Sequence, residues 1–156
     1  MRLSDTLVEF LNGPLMILLG TRSAAFVPEI GRAIGQRLSP EASALDLIVS
    51  RWQWPATVDN IAATGALAVT LARPDDYVTY QFKGSAKLLT ARAEDVALAE
   101  RHMRRMFDCL CGLGVEPAAA ASWFCGREPV VARLQIAAVF VQTPGAQAGT
   151  PVLAGS

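Results

Sequence analysis

The stretch DYVTYQFKG, residues 76–84, decides the fold. Its large apolar residues occupy every second position and alternate with polar ones, which is typical of a strand with one buried face. Leu67, Val69 and Leu71 alternate with smaller residues in the same way, and residues 74–76 between the two runs form a turn. The two segments predict an antiparallel hairpin that ends at the glycine.

Further elements follow on both sides of this hairpin. Before it, the sequence predicts two short helices and three strands, namely a helix at 3–11, strands at 15–19, 26–34 and 45–50, and a helix at 58–64 with Thr57 as its N-cap. After it, the sequence predicts two helices and a strand, at 94–113, 117–124 and 130–141. Strands that arrive in groups, with helices between the groups, favour an α+β antiparallel barrel over a doubly wound sheet.

The totals bound the class of protein. A length of 156 residues with 52% hydrophobic residues suits one domain, which we place at 1–145, followed by a Gly- and Pro-rich tail at 146–156 that is not packed structure. Lys plus Arg equals Asp plus Glu at 14 each, which disfavours bulk nucleic-acid binding. The longest apolar runs fall short of a membrane helix, and three cysteines suit a reducing, cytoplasmic location.

Three segments, in this order and spacing, resemble the pyridoxamine 5'-phosphate oxidase-like, FMN-binding split-barrel family. They are residues 59–70, 76–84 and 139–149, within a resemblance that runs from about Pro14 to Gly149. The resemblance implies an antiparallel split β-barrel with flanking helices. It also implies a homodimer with FMN in an interface groove, contacted by both subunits. The extension that resembles part of the substrate site in true pyridoxamine phosphate oxidases is missing, which argues against vitamin B6 oxidation.

Candidate phosphate ligands lie where the third strand ends. Ser50 and Arg51 stand just before the helix capped by Thr57, and a helix N-terminus attracts anions. Trp52 or Trp54 is a candidate cover for the flavin ring. The alternatives are a surface charge for Arg51 and ordinary packing for Trp52.

Candidate ring contacts lie on the deciding strand. Gln81 and Lys83 share one of its faces, and the resemblance implies that this face meets the flavin, although Lys83 could equally reach solvent. Arg22, in the first hairpin turn, and Arg32, on the second strand, are candidates for a second phosphate ligand. Solvated charges are the alternative for both arginines.

The remaining reactive residues predict no chemistry of their own. His102 is the only histidine and lies among arginines, which predicts a solvated helix face and excludes a histidine-rich metal site. Cys109 and Cys111 point to different sides of a helix, so buried structural roles are expected and no metal site is predicted.

The sequence therefore predicts an FMN-binding flavoprotein that passes electrons or hydride between the flavin and a small molecule or nicotinamide. A non-catalytic module that binds flavin, haem or another planar ligand is the first alternative. A cofactor-free dimerisation domain is the second. No residue is identified as an obligatory general acid or base.

Overall fold

A computed structural model describes residues 3–152 of the chain. Its elements are four helices and seven strands. The helices are α1 Asp5–Leu11, α2 Pro55–Thr64, α3 Ala93–Gly112 and α4 Pro117–Ser122. The strands are β1 Met16–Arg22, β2 Pro28–Arg32, β3 Gly35–Leu38, β4 Ala44–Ser50, β5 Ala66–Ala72, β6 Thr79–Thr90 and β7 Pro129–Val141.

All seven strands form one antiparallel sheet in the order β2-β1-β5-β6-β7-β4-β3. The predicted hairpin is confirmed as β5 and β6. The sheet curls, because the chain turns a corner between its two edge strands. Ala33 donates its N–H to the carbonyl of Ile17 in β1 at 3.2 Å, and Ile34 donates to Ile48 in β4 at 2.8 Å. The strand predicted at 26–34 is therefore β2 followed by this corner, and the sequence analysis did not predict β3, which pairs with β4.

The interior of the curled sheet holds the main core. Alternate residues of β1, β5 and β6 point inward, including Leu19, Val69 and Phe82, none of which is exposed. All seven residues of β4 are buried, because α3 covers the outer side of this strand while the core covers its inner side. The predicted α+β split barrel with flanking helices is confirmed.

Helix α2 begins three residues earlier than the sequence predicts. Pro55 occupies its first turn, where a missing N–H costs nothing, and Trp54 is the N-cap. The prediction that Thr57 caps this helix is wrong. Its side chain is fully buried against Gly31, and a β-carbon at Gly31 would collide with the Thr57 hydroxyl.

Strand β6 does not end at Gly84 but continues to Thr90. The pairing of β6 with β7 shifts register between Lys83 and Gly84, which is a β-bulge. A side chain at Gly84 would collide with the carbonyl oxygen of Gln135, so the glycine permits the bulge rather than terminating the strand.

The C-terminal segment is packed as far as the structure describes it. Val152 donates its N–H to Val139 at 2.8 Å, Pro151 forms a bridge with Phe140, and Val152 packs against the core. The prediction of an unpacked tail is therefore wrong up to Val152. Residues 153–156 lie outside the described part.

Helix α3 buries one stripe of its surface. Ala99, His102, Met106 and Leu110 follow helical spacing and are all buried. The prediction that His102 lies on a solvated face is wrong, since only 8% of it is exposed. The neighbouring Arg101, Arg104 and Arg105 are exposed, and Arg101 and Arg105 border His102 at the surface.

Candidate functional site

The outer side of β1, β5 and β6 carries a surface of small residues that we call the open face. Gly20, Ala68 and Lys83 are direct neighbours across the three strands, and directly opposed residues point to the same side of a sheet. Ala66 lies next to this row. Together with Arg22, these residues line a shallow depression of about 380 Å³.

Gly20 has no visible structural reason to be glycine. A β-carbon there would meet its nearest neighbours, in Ala68 and Ile30, at 3.7–4.0 Å, which is ordinary contact, and its φ is not positive. Glycine inside a strand costs about 0.5–1 kcal/mol relative to alanine. Such a glycine often marks a place where a ligand or another backbone approaches closely.

Polar side chains of the open face are held in place by neighbouring strands. Gln81 donates from Nε2 to the hydroxyl of Thr70 at 3.0 Å. The Lys83 ammonium lies 4.9 Å from the centre of the Phe140 ring, a cation–π contact. Both side chains therefore occupy defined positions over the outer surface of the sheet.

Exposed apolar side chains lie beside the open face. Phe26, Val27 and Ile30, from the β1–β2 turn and β2, are 73%, 62% and 62% exposed. Arg22 packs its guanidinium 4.3 Å from the centre of the Phe26 ring and donates to the carbonyl of Ser23 at 3.3 Å. Adjacent exposed apolar residues of this size mark a surface suited to contact with another molecule.

The candidate phosphate ligands lie elsewhere, at the N-terminal end of α2. The Ser50 hydroxyl is buried, donates to the carbonyl of Arg127 at 2.7 Å and accepts from the N–H of Gln53 at 3.2 Å. Thr57 is sealed beneath β2. Only Arg51 and Trp52 of this group reach the surface.

The surface members of that group already have partners. Arg51 lies 3.5 Å from the carboxylate of Asp59, and the ring of Trp52, half exposed, is covered by the guanidinium of Arg127 at 4.3 Å. The far end of α2 adjoins the open face through Thr64, which donates to the carbonyl of Arg22. A ten-residue helix of about 15 Å thus separates the two groups of candidates within one chain.

Arg32, the other candidate phosphate ligand, packs against a helix. Its guanidinium lies 4.9 Å from the centre of the Trp123 ring, just after α4. The structure therefore brings Arg22, Gln81 and Lys83 together and leaves Arg32 and the residues around Arg51 apart from them.

A charged row that the sequence analysis did not single out crosses the same outer side of the sheet. Arg37, Asp46, Arg133 and Lys87 are direct neighbours across β3, β4, β7 and β6. Asp46 is buried, accepts from Arg133 at 2.6 and 2.8 Å and from Arg37 at 3.1 Å. Arg37 also donates to Asp95 of α3 at 2.8 Å.

The electrostatics of Asp46 follow from these contacts. Burial alone would raise the pKa of its carboxyl group, but the hydrogen bonds and charges of Arg133 and Arg37 outweigh burial and hold the pKa below its ordinary value. Asp46 therefore stays ionised and fixes both guanidinium groups. A single aspartate inside the apolar strand ALDLIVS was the sequence signal for this network.

His102 and the cysteines take no part in the open face. Burial lowers the pKa of His102 to about 4, despite its hydrogen bond to the backbone of Leu15. The three cysteines are half-buried rather than fully buried, and Cys109 contacts the carboxylate of Asp75 at 3.4 Å. Within residues 3–152, no group of three or more His, Cys, Asp or Glu residues could hold a metal ion.

Comparison with known proteins identifies the architecture through structure alone. No family model matches the sequence, and no curated protein matches it. HupZ of Group A Streptococcus has a TM-score of 0.59 at 16% identity, over 95% of this chain and 100% of that one. A Lactobacillus delbrueckii protein provisionally described as a pyridoxamine 5'-phosphate oxidase has a TM-score of 0.56 at 16% identity, over 90% and 94%.

A third solved structure adds a different ligand to the comparison. HutZ of Vibrio cholerae, described as a heme storage protein, has a TM-score of 0.55 at 15% identity, over 90% of this chain and 95% of that one. At these identities the likeness concerns the fold. In the described part of this chain, no helix is long and apolar enough to cross a membrane.

Proposed function

We propose that this chain, which has the fold of the pyridoxamine 5'-phosphate oxidase-like split barrels, binds FMN on its open face. It would serve as an oxidoreductase that passes electrons or hydride between the flavin and a small molecule or nicotinamide. The observation that carries the proposal is Gly20, a strand glycine that no contact within the chain requires.

The open face suits a planar ring with polar edges. A flat wall of small residues is supplied by Gly20, Ala66 and Ala68. The amide of Gln81 is held by its hydrogen bond to Thr70, and the ammonium of Lys83 by its contact with the Phe140 ring. When bound, FMN supplies the electron-accepting and hydride-accepting chemistry. The chain's own part is to hold the ring, orient its polar edge and leave one side open to a donor.

A homodimer completes this proposal. Ligand pockets bury most of the ligand surface, whereas the open face of one chain is a shallow depression. A second copy laid against the exposed Phe26, Val27 and Ile30 would provide the other wall. It could also bring its own Trp52 to a ring that α2 keeps away from Trp52 of the first copy.

A haem-binding module is the second candidate, supported by the likeness to the heme storage protein HutZ. The only histidine argues against histidine-ligated haem, because His102 is buried and its pKa is lowered to about 4 by that burial. The imidazole would have to leave the α3 packing before it could reach a ligand on the surface. Flavin is therefore the better supported ligand.

The deciding experiment compares the wild-type protein with Gly20→Val, using absorbance, FMN titration and thermal melting. We expect FMN to raise the melting temperature of the wild type, and Gly20→Val to lose at least tenfold in affinity while staying folded. Valine suits a strand, and its β-carbon meets only ordinary contacts.

A matched control is Gly112→Val, at the end of α3, where a β-carbon has no neighbour within 4 Å. It should bind FMN like the wild type. Unchanged binding by Gly20→Val would place the flavin elsewhere. A wild type that ignores FMN but gives a strong absorbance band with hemin would favour the haem module, and one that binds neither would favour a cofactor-free dimerisation domain.

A further inference from the structure

A polar groove continues the open face along β6. Gln81, Lys83, Ser85 and Lys87 occupy alternate positions of this strand and so share its outer side. Ser85 is directly opposite Gln135 of β7, and Lys87 is directly opposite Arg133. Ser85, Lys87, Arg133 and Gln135 line a groove of about 440 Å³, which is bounded by the turn that contains Glu41.

The groove presents cationic donors that the fold leaves available. Like charges directly opposite each other on neighbouring strands are destabilising, yet Lys87 faces Arg133. Lys87 is exposed and has no ion pair among the described residues. Arg133 uses Nε and Nη2 on Asp46, and its Nη1 has no partner in residues 3–152.

Arg133 is also rigid. Two short hydrogen bonds to a buried carboxylate fix the plane of its guanidinium, and Arg37 holds that carboxylate from the other side. A donor that is already in place loses little side-chain entropy when it binds an anion. The Ser85 hydroxyl and Gln135 side chain add neutral hydrogen-bonding groups beside it.

The other candidate phosphate site, at the start of α2, has fewer free hydrogen-bond donors than the groove. The Ser50 hydroxyl is fully engaged, Thr57 is sealed by Gly31, and Arg51 already lies beside Asp59. Lys87, by contrast, lies four residues along β6 from Lys83, about 13 Å away on the same outer side. A ribityl phosphate chain leaving a ring on the open face can follow that strand.

We infer that the groove formed by Ser85, Lys87, Arg133 and Gln135 binds a phosphate monoester, the phosphate of the flavin that we propose for the open face. This inference rests on the proposed function for the identity of the ligand. Lys87 and the free Nη1 of Arg133 are its charged donors. Glu41 opposes the phosphate from the rim of the groove and limits its affinity.

The test compares FMN with riboflavin, which lacks the phosphate, by fluorescence titration of the full chain. In Lys87→Ala we expect the preference for FMN over riboflavin to fall by about tenfold or more, because charge-assisted hydrogen bonds are lost, with riboflavin binding unchanged. Glu41→Gln should strengthen the binding of FMN and leave the binding of riboflavin unchanged. Arg51→Ala tests the rival position and should leave the preference unchanged. Arg133 is kept, because its loss would leave Asp46 poorly paired.

A second measurement does not depend on flavin. Inorganic phosphate and pyrophosphate are titrated into the isotope-labelled protein, and the amide signals of Ser85, Lys87 and Gln135 should shift in the wild type but not in Lys87→Ala. If neither flavin binds and these shifts remain, the anion site stands and the FMN proposal fails. If FMN preference depends on Arg51, or phosphate moves the signals of residues 55–58 instead, the inference is overturned.

Discussion

The two halves of the outer side of the sheet differ in what lies on them. Over β3, β4 and β7, helix α3 buries Ile48 and Val131, and a buried carboxylate holds two arginines. Over β1 and β5, no element in residues 3–152 covers Gly20 and its small neighbours. We therefore expect substitutions at Asp46 and beneath α3 to change mainly stability, and substitutions on the open face to change mainly binding.

The largest effect is expected at the centre of the covered half. Asp46→Ala removes the carboxylate that pairs with Arg37 and Arg133. Because both arginines are more than a third exposed and can be rehydrated, we expect a loss of about 1.5–3 kcal/mol of unfolding free energy. Urea unfolding at pH 7 measures this loss. Gln81→Ala, in the open half, should change stability by less than about 0.5 kcal/mol. Equal losses at both sites would break the comparison.

The pH dependence of stability should report the covered half as well. The pKa of His102 is about 4 in the folded chain, against about 6.5 when unfolded. The unfolded chain therefore binds the extra proton first, and stability should fall by up to about 3 kcal/mol as the pH drops from 6.5 to 4.

His102→Gln, which keeps a donor for the Leu15 backbone, should flatten this window in urea unfolding at pH 7, 5.5 and 4.5. The contribution of Asp46 lies in a lower window, because its folded pKa is lowered. That contribution is complete above about pH 4 and is lost as the pH falls further. If His102→Gln keeps the wild-type dependence of the unfolding free energy on pH between 6.5 and 4, His102 does not cause that dependence.

Two glycines, Gly84 beside the β6–β7 bulge and Gly20 on the open face, compare a glycine that the fold requires with one that it does not. Gly84→Ala forces a β-carbon against the Gln135 carbonyl at the bulge and should cost about 1–3 kcal/mol. Gly20→Ala meets only ordinary contacts and should leave stability unchanged or raise it by up to about 1 kcal/mol. Thermal and urea unfolding of both variants decide the point. A large loss at Gly20 would show that the open face needs its glycine for folding.

The smallest effect is expected at Phe140. Phe140→Leu removes the ring beneath the Lys83 ammonium and should weaken FMN binding a few-fold, with a stability change of about 0.5–1 kcal/mol. Phe140→Tyr keeps an aromatic face and should retain the affinity. If leucine and tyrosine behave alike in the titration, the cation–π contact does not position Lys83.

The alternation of apolar and polar residues was enough to predict the β5–β6 hairpin and the final strand, because a strand with one buried face has apolar residues at every second position. It was not enough at Gly84, where the glycine lies opposite a bulge in β7 instead of ending its own strand. Lys87, beyond that glycine, was therefore missed as a member of the outer row. The pairing of Asp46 with Arg133 joins residues far apart in the chain and follows only from the strand order.

Charged neighbours misled the interpretation of His102. Arg101, Arg104 and Arg105 indicated a solvated face, whereas the spacing of Ala99, His102 and Met106 already described a buried stripe. The prediction of Thr57 as the N-cap failed because Pro55 begins the helix three residues earlier. For His102, burial follows the helical spacing of α3 rather than the charge of the neighbouring residues; for α2, the proline sets the first turn.

The place of β7 in the sheet has a consequence for synthesis of the chain. This strand lies between β6 and β4, although it is the last strand of the described chain to be made. On the ribosome, both neighbours must wait with an unpaired edge until residues 129–141 emerge. We therefore expect chains that stop before Pro129 to expose the unpaired edges of β6 and β4. Such chains should aggregate unless chaperones bind them or proteases degrade them.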